Sequence, residues 1–424
     1  MAPVCRTHPA GDFTAAWSEK VPGAMTHPGP RQNTWDPPLP PDHAVSDAPV
    51  PIAAVLGALW KTRGFHVNPA TGAPGGIPQR AIPSAGACYP VQVHLLCGSD
   101  CDVPPGIHAY NPANSTTYRR IQSAPATAGA IVVFTVLPQR TAAKYHHRAL
   151  PLLLADTAYA LVGVARHAAS RGMASRWLTA DPATLAAAAR VPEYSQWQQH
   201  WPDTGAELAL AALSMGAGDV LPELSQWVAA AGPAGRARPV PQRQLRTLAA
   251  AERWATESGL RHPEGPLDLT PGERLMEGQL LRRRSIPITG AVPVSTHPHR
   301  GAAEQVWRAM LEDFPLPMPA ACEVLLVDQA GIRNRLLRRE CAGQRWVDSL
   351  DGILLFRTRS APDETAMWWA AASAAHLLYS SLSTDPGITF RPVAGWTGTR
   401  DGFTTLHALG FRAFRSEGNT HAGQ

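Results

Sequence analysis

Lysine is nearly absent from this sequence. Of 38 lysines and arginines only Lys20, Lys61 and Lys144 are lysine, which leaves 38 − 3 = 35 arginines. A chain that uses arginine wherever a cation will do needs a reason to keep a lysine inside a structured segment. Charge as a whole is scarce, at 17% of residues and a net +5. The arginines are scattered rather than gathered into a tail or a helix row, so nucleic acid finds no electrostatic footprint. Six cysteines without a CxxC pair exclude a disulfide or zinc framework, and Cys97 and Cys101, around a Gly-Ser-Asp turn, read as incidental. The densest apolar stretch, Leu150 to Ala169, is interrupted by Asp156, Arg166 and His167 and does not read as a bilayer span. The Pro-rich, polar N-terminus has no hydrophobic signal-peptide core. A reduced, cytoplasmic protein is expected, without membrane or nucleic-acid partners.

The common catalytic signatures are missing as well. There is no GxGxxG after a strand, no Walker P-loop, no GxSxG and no HExxH. The histidine pairs His146/His147 and His297/His299 have no partners at metal-ligand spacing, and no metal site is expected.

What is present is a chain of 424 residues, 45% hydrophobic, long enough for two or three domains. Residues 1–50 are rich in Pro, Asp and His and read as flexible. Residues 51–218 form a first block. It opens with a helix ending at Gly64, then a Gly/Pro loop over 68–79 and an alternating strand from Val91 to Leu96. The strand GIHAYNP, the buried strand AIVVFTVL at 130–137, a long helix from Pro151 to Arg171 and ELALAALSMG complete it. Residues 219–270 read as a connector with a helix at Gln242–Ser258. Residues 271–415 repeat the outline: strand CEVLLVDQAG, strand DGILLFRTR, helix Ala366–Ser383 before Gly387, then TTLHALGF, with 416–424 a tail. Helices beside antiparallel-capable strands indicate an α+β class.

The informative stretch is RAIPSAGACYP. Pro83-Ser84-Ala85-Gly86 is a compact turn of small residues that exposes backbone N–H groups and a hydroxyl and admits a flat ligand. Alone it is an ordinary loop into a strand. Downstream, however, stand the buried strand, then Lys144-Tyr145, then the long apolar helix. A phenol and an amine are poor bases near neutrality unless shifted. Side by side in a partly desolvated pocket, the ammonium stabilises a phenolate, or desolvation lowers the amine's own pKa; either makes a base for an acidic C–H.

This ordered set resembles the flavin-dependent nitroreductase superfamily, and within it the branch of streptolysin-type azoline dehydrogenases and peptide thiazoline oxidases. The resemblance rests on Arg80 with PSAGACYP, on GIHAYNP with His108 in place of a tyrosine, and on Lys144-Tyr145. It implies FMN, with Arg80, Pro83, Ser84, Ala85 and Gly86 at the cofactor and Lys144 or Tyr145 as base. The family's phosphate motif, Arg-x-Ser-x-basic, is missing from the first block. The second block supplies Arg283 and Ser285, with Pro287 in the last place. Pro392-Val393-Ala394-Gly395-Trp396 resembles the turn that meets the flavin ring, with Val393, Ala394 and Gly395 as its contacts, and GFRAFR offers Arg412 and Arg415 to the phosphate. Since nitroreductases build their FMN sites between two subunits, the resemblance implies two tandem nitroreductase-like domains joined as an intramolecular pseudo-dimer with one composite site.

The expected activity is FMN-dependent oxidation of a thiazoline or oxazoline to an azole in a ribosomally made peptide. The expected partners are the precursor peptide, an azoline-forming cyclodehydratase, and dioxygen as electron acceptor. Two alternatives stay open: an NAD(P)H-dependent reductase of nitro, quinone or enone compounds, and a flavin-free scaffold of a peptide-modifying complex.

Overall fold

The run AIVVFTV has no polar face to turn to water, and it becomes the central strand of a sheet covered on both sides. The computed structural model describes residues 16–18, 23–25, 35, 47–67, 71–200, 206–230, 267–268, 275–283 and 300–413, the last span without 333, 335–336, 338–339, 342–343, 385–387 and 396–397. The connector helix expected at Gln242–Ser258 lies outside the described residues, as do Ser285, Pro287, His297, His299, Gly387, Trp396 and Arg415.

In chain order, α1 (Ile52–Trp60) leads into a hairpin of β1 (Gly64–Val67) and β2 (Pro74–Gln79). Then come β3 (Val91–Cys97), β4 (Gly106–Asn111), β5 (Thr116–Ile121), β6 (Ala130–Val136), α2 (Pro138–Tyr145) and α3 (Ala149–Ser170). They are followed by β7 (Ala174–Leu178), α4 (Pro182–Ala189), β8 (Leu208–Gly216) and β9 (Leu267–Asp268). The first sheet runs β5-β4-β3-β6-β8-β7-β9, with antiparallel neighbours throughout. The second half contributes α5 (Glu277–Arg282), α6 (Arg300–Glu312), β10 (Cys322–Asp328), β11 (Gly352–Thr358), α7 (Glu364–Thr384), β12 (Ile388–Pro392), β13 (Thr399–Arg400) and β14 (Phe403–Ala413). Its sheet runs β10-β11-β14-β12, with β13 also on β14.

The two long helices are apolar nearly all round because each is buried on two sides. α3 packs on the first sheet, α7 on the second, and the two pack on each other in the largest core of the protein. The Tyr379 hydroxyl donates to the Tyr159 carbonyl at 3.1 Å, and Arg166 donates to His376 Nδ1 at 2.9 Å, so the helices run antiparallel. Gly163 makes room at the crossing: a Cβ there would sit 2.7 Å from the Tyr379 hydroxyl oxygen. Gly163→Ala would gain about 1 kcal/mol of helix propensity but crowd a rigid buried ring, at about 1–3 kcal/mol. A net loss of stability in urea denaturation is the expected result, although glycine is the poorer helix former.

Several expectations need correction. The Gly/Pro stretch 68–79 is not all loop, because Pro74–Gln79 pairs with Gly64–Val67. Alternation in β3 does not mark a solvated face, since every residue from Val91 to Cys97 is buried. Its His94 lies in a covered polar cluster: Nε2 is 2.5 Å from Glu207, and Arg120 donates to Nδ1 at 2.8 Å. The described residues of the N-terminal 50 are not a loose tail. Trp35 is buried, donates to Glu207 at 2.8 Å and lies 3.4 Å beneath the Arg120 guanidinium. Trp17 is buried and donates to the Thr405 carbonyl at 2.9 Å. Finally, residues 138–170 hold an 18-residue stretch long and apolar enough, by length and composition, to cross a membrane; 94% of that stretch is buried inside the protein, as a core helix requires.

Candidate functional site

The PSAG turn is wound around a carboxylate. Ser84 Oγ donates to Asp156 Oδ2 at 2.6 Å, the Ala85 N–H donates to Asp156 Oδ1 at 2.9 Å, and the Tyr89 N–H returns to Ser84 Oγ at 2.8 Å. Asp156 is the first charged residue on the largely apolar α3, and burial pushes its pKa up to about 7 against the pull of the Ser84 and Ala85 bonds. The turn then passes through left-handed backbone at Gly86 (φ 55°), Ala87 (φ 55°) and Tyr89 (φ 48°). Arg140 closes its far end by donating to the Tyr89 carbonyl at 2.8 Å.

Lys144 and Tyr145 end α2, where His146 at φ 48° breaks the helix. Both side chains come to the exposed tip of the turn. Lys144 Nζ donates to the Gly86 carbonyl at 3.4 Å, and it lies 5.6 Å from the Tyr145 ring centre. A Cβ on Gly86 would meet Lys144 Nζ at 2.5 Å and the Tyr145 hydroxyl at 2.7 Å, so glycine is required here by both conformation and space. Of the two bases the sequence left open, the phenolate is the one that burial disfavours. Burial, then the neighbouring Cys88 and Asp156, hold the Tyr145 phenol well above the ordinary tyrosine range, and at neutral pH it keeps its proton.

The second half reaches the same place. Gly395, at φ 84°, sits against Tyr145, from whose Cε1 an added Cβ would be 3.9 Å. Arg148 donates to the Gly395 carbonyl at 3.1 Å, and Gln344 to the Ala394 carbonyl at 2.6 Å. The Val393 side chain points elsewhere, into the apolar core on the outer face of the second sheet. Arg283 is buried and crosses between halves: Nε binds the Ala81 carbonyl and Nη2 donates to the Arg80 carbonyl at 3.0 Å. Arg80 in turn lies 4.4 Å over the Tyr89 ring. Arg412 donates through Nε to the Ser349 carbonyl at 2.8 Å.

Four residues of this neighbourhood, Asp156, Arg148, Arg391 and His407, were not singled out by sequence as site residues. Arg391 lies 4.1 Å over the Trp346 ring, and burial plus the like charges of Arg283 and Arg412 lower its pKa to about 10. Arg391 therefore lies close enough to both Arg283 and Arg412 to feel their positive charge. His407, held neutral by burial at a pKa of about 4, shares a hydrogen bond of 3.1 Å between its Nε2 and the Tyr159 hydroxyl. Asp156 did leave a signal, as the first charge interrupting the apolar run LLLADTAYALV. Arg148 and Arg391 left none among 35 arginines. His108, at the family's tyrosine position, binds the Pro104 carbonyl at 2.7 Å. Among the described residues no group of His, Cys, Asp and Glu could hold a metal ion, and the described cysteines are free thiols.

No protein-family model matches the chain, and no curated protein does. Solved structures do. A protein from Anabaena variabilis provisionally assigned as a nitroreductase superposes with a TM-score of 0.57 at 12% identity, over 86% of this chain and 88% of its own. Coverage that wide spans both sheets, and the chain has the nitroreductase fold. The E. coli microcin synthetase McbBCD complex with truncated pro-MccB17 bound matches over 43% of this chain and 70% of that one (17% identity, TM-score 0.30). A second protein provisionally assigned as a nitroreductase, from Ralstonia eutropha, matches over 45% of this chain and all of its own (14% identity, TM-score 0.25).

Proposed function

We propose that this chain is an FMN-dependent dehydrogenase that oxidises azolines to azoles in a ribosomally made peptide. The observation that carries the reading is the meeting, on one exposed glycine tip, of a scarce lysine, a neutral phenol and a glycine turn from the other half of the chain. The residues fit the cofactor the fold implies. Arg283, Arg391 and Arg412 form a cluster of like charge that a phosphate dianion would relieve, and Arg283 ties it to the Arg80–Gly86 segment. On this reading residues 51–218 and 271–415 are two halves of one catalytic unit with a composite site between them.

FMN, when bound, would supply the hydride acceptor, and dioxygen would be the final electron acceptor. The chain's own part is to orient the azoline and receive its proton. The proton leaving the ring carbon goes to Lys144 Nζ, which the Gly86 carbonyl anchors. Tyr145, with its proton retained, offers the substrate a hydrogen-bond donor instead of a base. The half-buried Lys144 and Tyr145 border an exposed tip, which suits a long peptide better than a small enclosed ligand. The partners are the azoline-bearing precursor peptide and the cyclodehydratase that makes it, in the cytoplasm.

The full-length protein should take up FMN, and under anaerobic conditions an azoline-bearing peptide should bleach its visible absorbance while NADPH does not. Rapid bleaching by NADPH would transfer the assignment to a reductase of nitro, quinone or enone compounds. Failure to load FMN would leave a scaffold.

A further inference from the structure

The turn from Ser84 to Tyr89 is held in a shape its sequence does not favour. Ala87 and Tyr89 both adopt left-handed backbone, which non-glycine residues hold only where the surroundings over-determine them. Part of that determination comes from outside the turn, through Arg140 on the Tyr89 carbonyl and Arg80 over the Tyr89 ring. Within it, the Ala87 and Cys88 N–H groups donate to the Ser84 and Ala85 carbonyls, each at 3.1 Å, and one further side chain grips its start. Asp156 uses one oxygen on the Ser84 hydroxyl and the other on the Ala85 N–H, and the Ser84 oxygen passes the hold on to the Tyr89 N–H. Three bonds therefore trace back to a single carboxyl, two residues from the Gly86 carbonyl that receives Lys144.

We infer that Asp156 is a positioning residue, whose two-oxygen grip on Ser84 and Ala85 holds the strained turn in the form that sets the Gly86 carbonyl against the Lys144 amine. The inference rests on the reading of Lys144 as the reacting amine.

An acid at this place is poor for stability, which argues that it is kept for another reason. Its folded pKa of about 7 stands above the unfolded value near 3.8. The stability linked to its proton is therefore fully present below about 3.8 and lost as pH rises through about 7. The titratable groups that feel its charge are Tyr89, Tyr145 and Tyr159; all three are raised, chiefly by burial, and stay neutral over this range. Arg283 acts on Tyr89 and Tyr159, and Arg80 on Tyr89. The charge that changes near neutrality at this spot is thus that of Asp156.

Asp156→Asn separates positioning from packing. Asparagine keeps the shape and can accept from the Ala85 N–H, but its amide cannot accept the Ser84 hydroxyl proton. In the full chain without flavin, amide exchange at Ala85 and Tyr89 should quicken at least tenfold in Asp156→Asn and further in Asp156→Ala. Ser84→Ala should reproduce the effect at Tyr89. The Asn variant should unfold at a higher temperature than the parent at pH 8, and its dependence of stability on pH should flatten. In the FMN-loaded protein, azoline oxidation should lose at least tenfold in kcat with KM changed less than threefold. Unchanged exchange at Ala85 and Tyr89 in both Asp156 variants would overturn the inference, as would an unchanged kcat in an active enzyme. If the parent oxidises no azoline, the proposed function fails, while the exchange measurement still decides what Asp156 does to the turn.

Discussion

Lys144→Ala should lower azoline oxidation at least a hundredfold while the protein still folds and still takes up FMN. General-base catalysis is worth about 10²–10⁴-fold in rate, and the amine contributes little to the core: it is half-buried and bonded only at 3.4 Å to the Gly86 carbonyl. Single-turnover bleaching of the flavin by an azoline peptide isolates the C–H step from reoxidation. Lys144→Arg is the sharper variant, since it preserves a donor for the Gly86 carbonyl but cannot serve as a base. It should be as slow as the alanine variant, and added small amines should partly restore the alanine variant alone. Tyr145→Phe should lose under tenfold, because the buried phenol keeps its proton throughout. If Tyr145→Phe proved as damaging as Lys144→Ala, the base would have to be reassigned.

The second large effect belongs to Arg283. Replacing it by alanine strips the Ala81 and Arg80 carbonyls of their partner across the halves and removes one of three clustered cations. Charged hydrogen bonds contribute about 1.5–3 kcal/mol each, so a stability loss of about 3 kcal/mol is expected in thermal or urea unfolding. FMN affinity should fall at least a hundredfold, read by quenching of flavin fluorescence. Arg391→Ala supplies the comparison. It should weaken FMN binding as well, with its guanidinium 4.1 Å over the Trp346 ring, whereas the loss of the Ala81 and Arg80 carbonyl bonds is particular to the Arg283 variant. Full retention of flavin by the Arg283 variant would defeat the idea of a site shared between halves.

The elements most legible in the sequence were those whose burial is uniform. AIVVFTV and GILLFRT are buried along their whole length, so composition alone announces them. α3 and α7 fall within two residues of the expected bounds, since glycine or a polar run ends each apolar stretch. Pro74–Gln79 was illegible because two glycines and two prolines in six residues hide a hairpin strand that pairs with a neighbour only four residues long. At the site, PSAG and Lys144-Tyr145 could be found because their residue types are rare in combination. Arg391 and Arg148 could not, since an arginine among 35 gains meaning only from the charges and carbonyls folded around it. Which of Lys144 and Tyr145 holds the proton stayed open in the sequence for a related reason: adjacency is visible there, whereas the burial that raises the Tyr145 phenol is not.

The anchorage of Trp17 sets a timetable for synthesis. Its indole binds Thr405, 388 residues further along the chain, and its carbonyl receives the Gly398 N–H, while His146 holds the Ala24 carbonyl. A ribosome that has made the first half has thus made the arm but not the β14 surface on which it comes to rest. The arm and the Lys144 neighbourhood become one surface only when the last described strand has emerged. Contacts of such sequence separation form late, and a nascent chain stalled before β14 would expose an unanchored tryptophan beside an unfinished site, a natural target for chaperone binding.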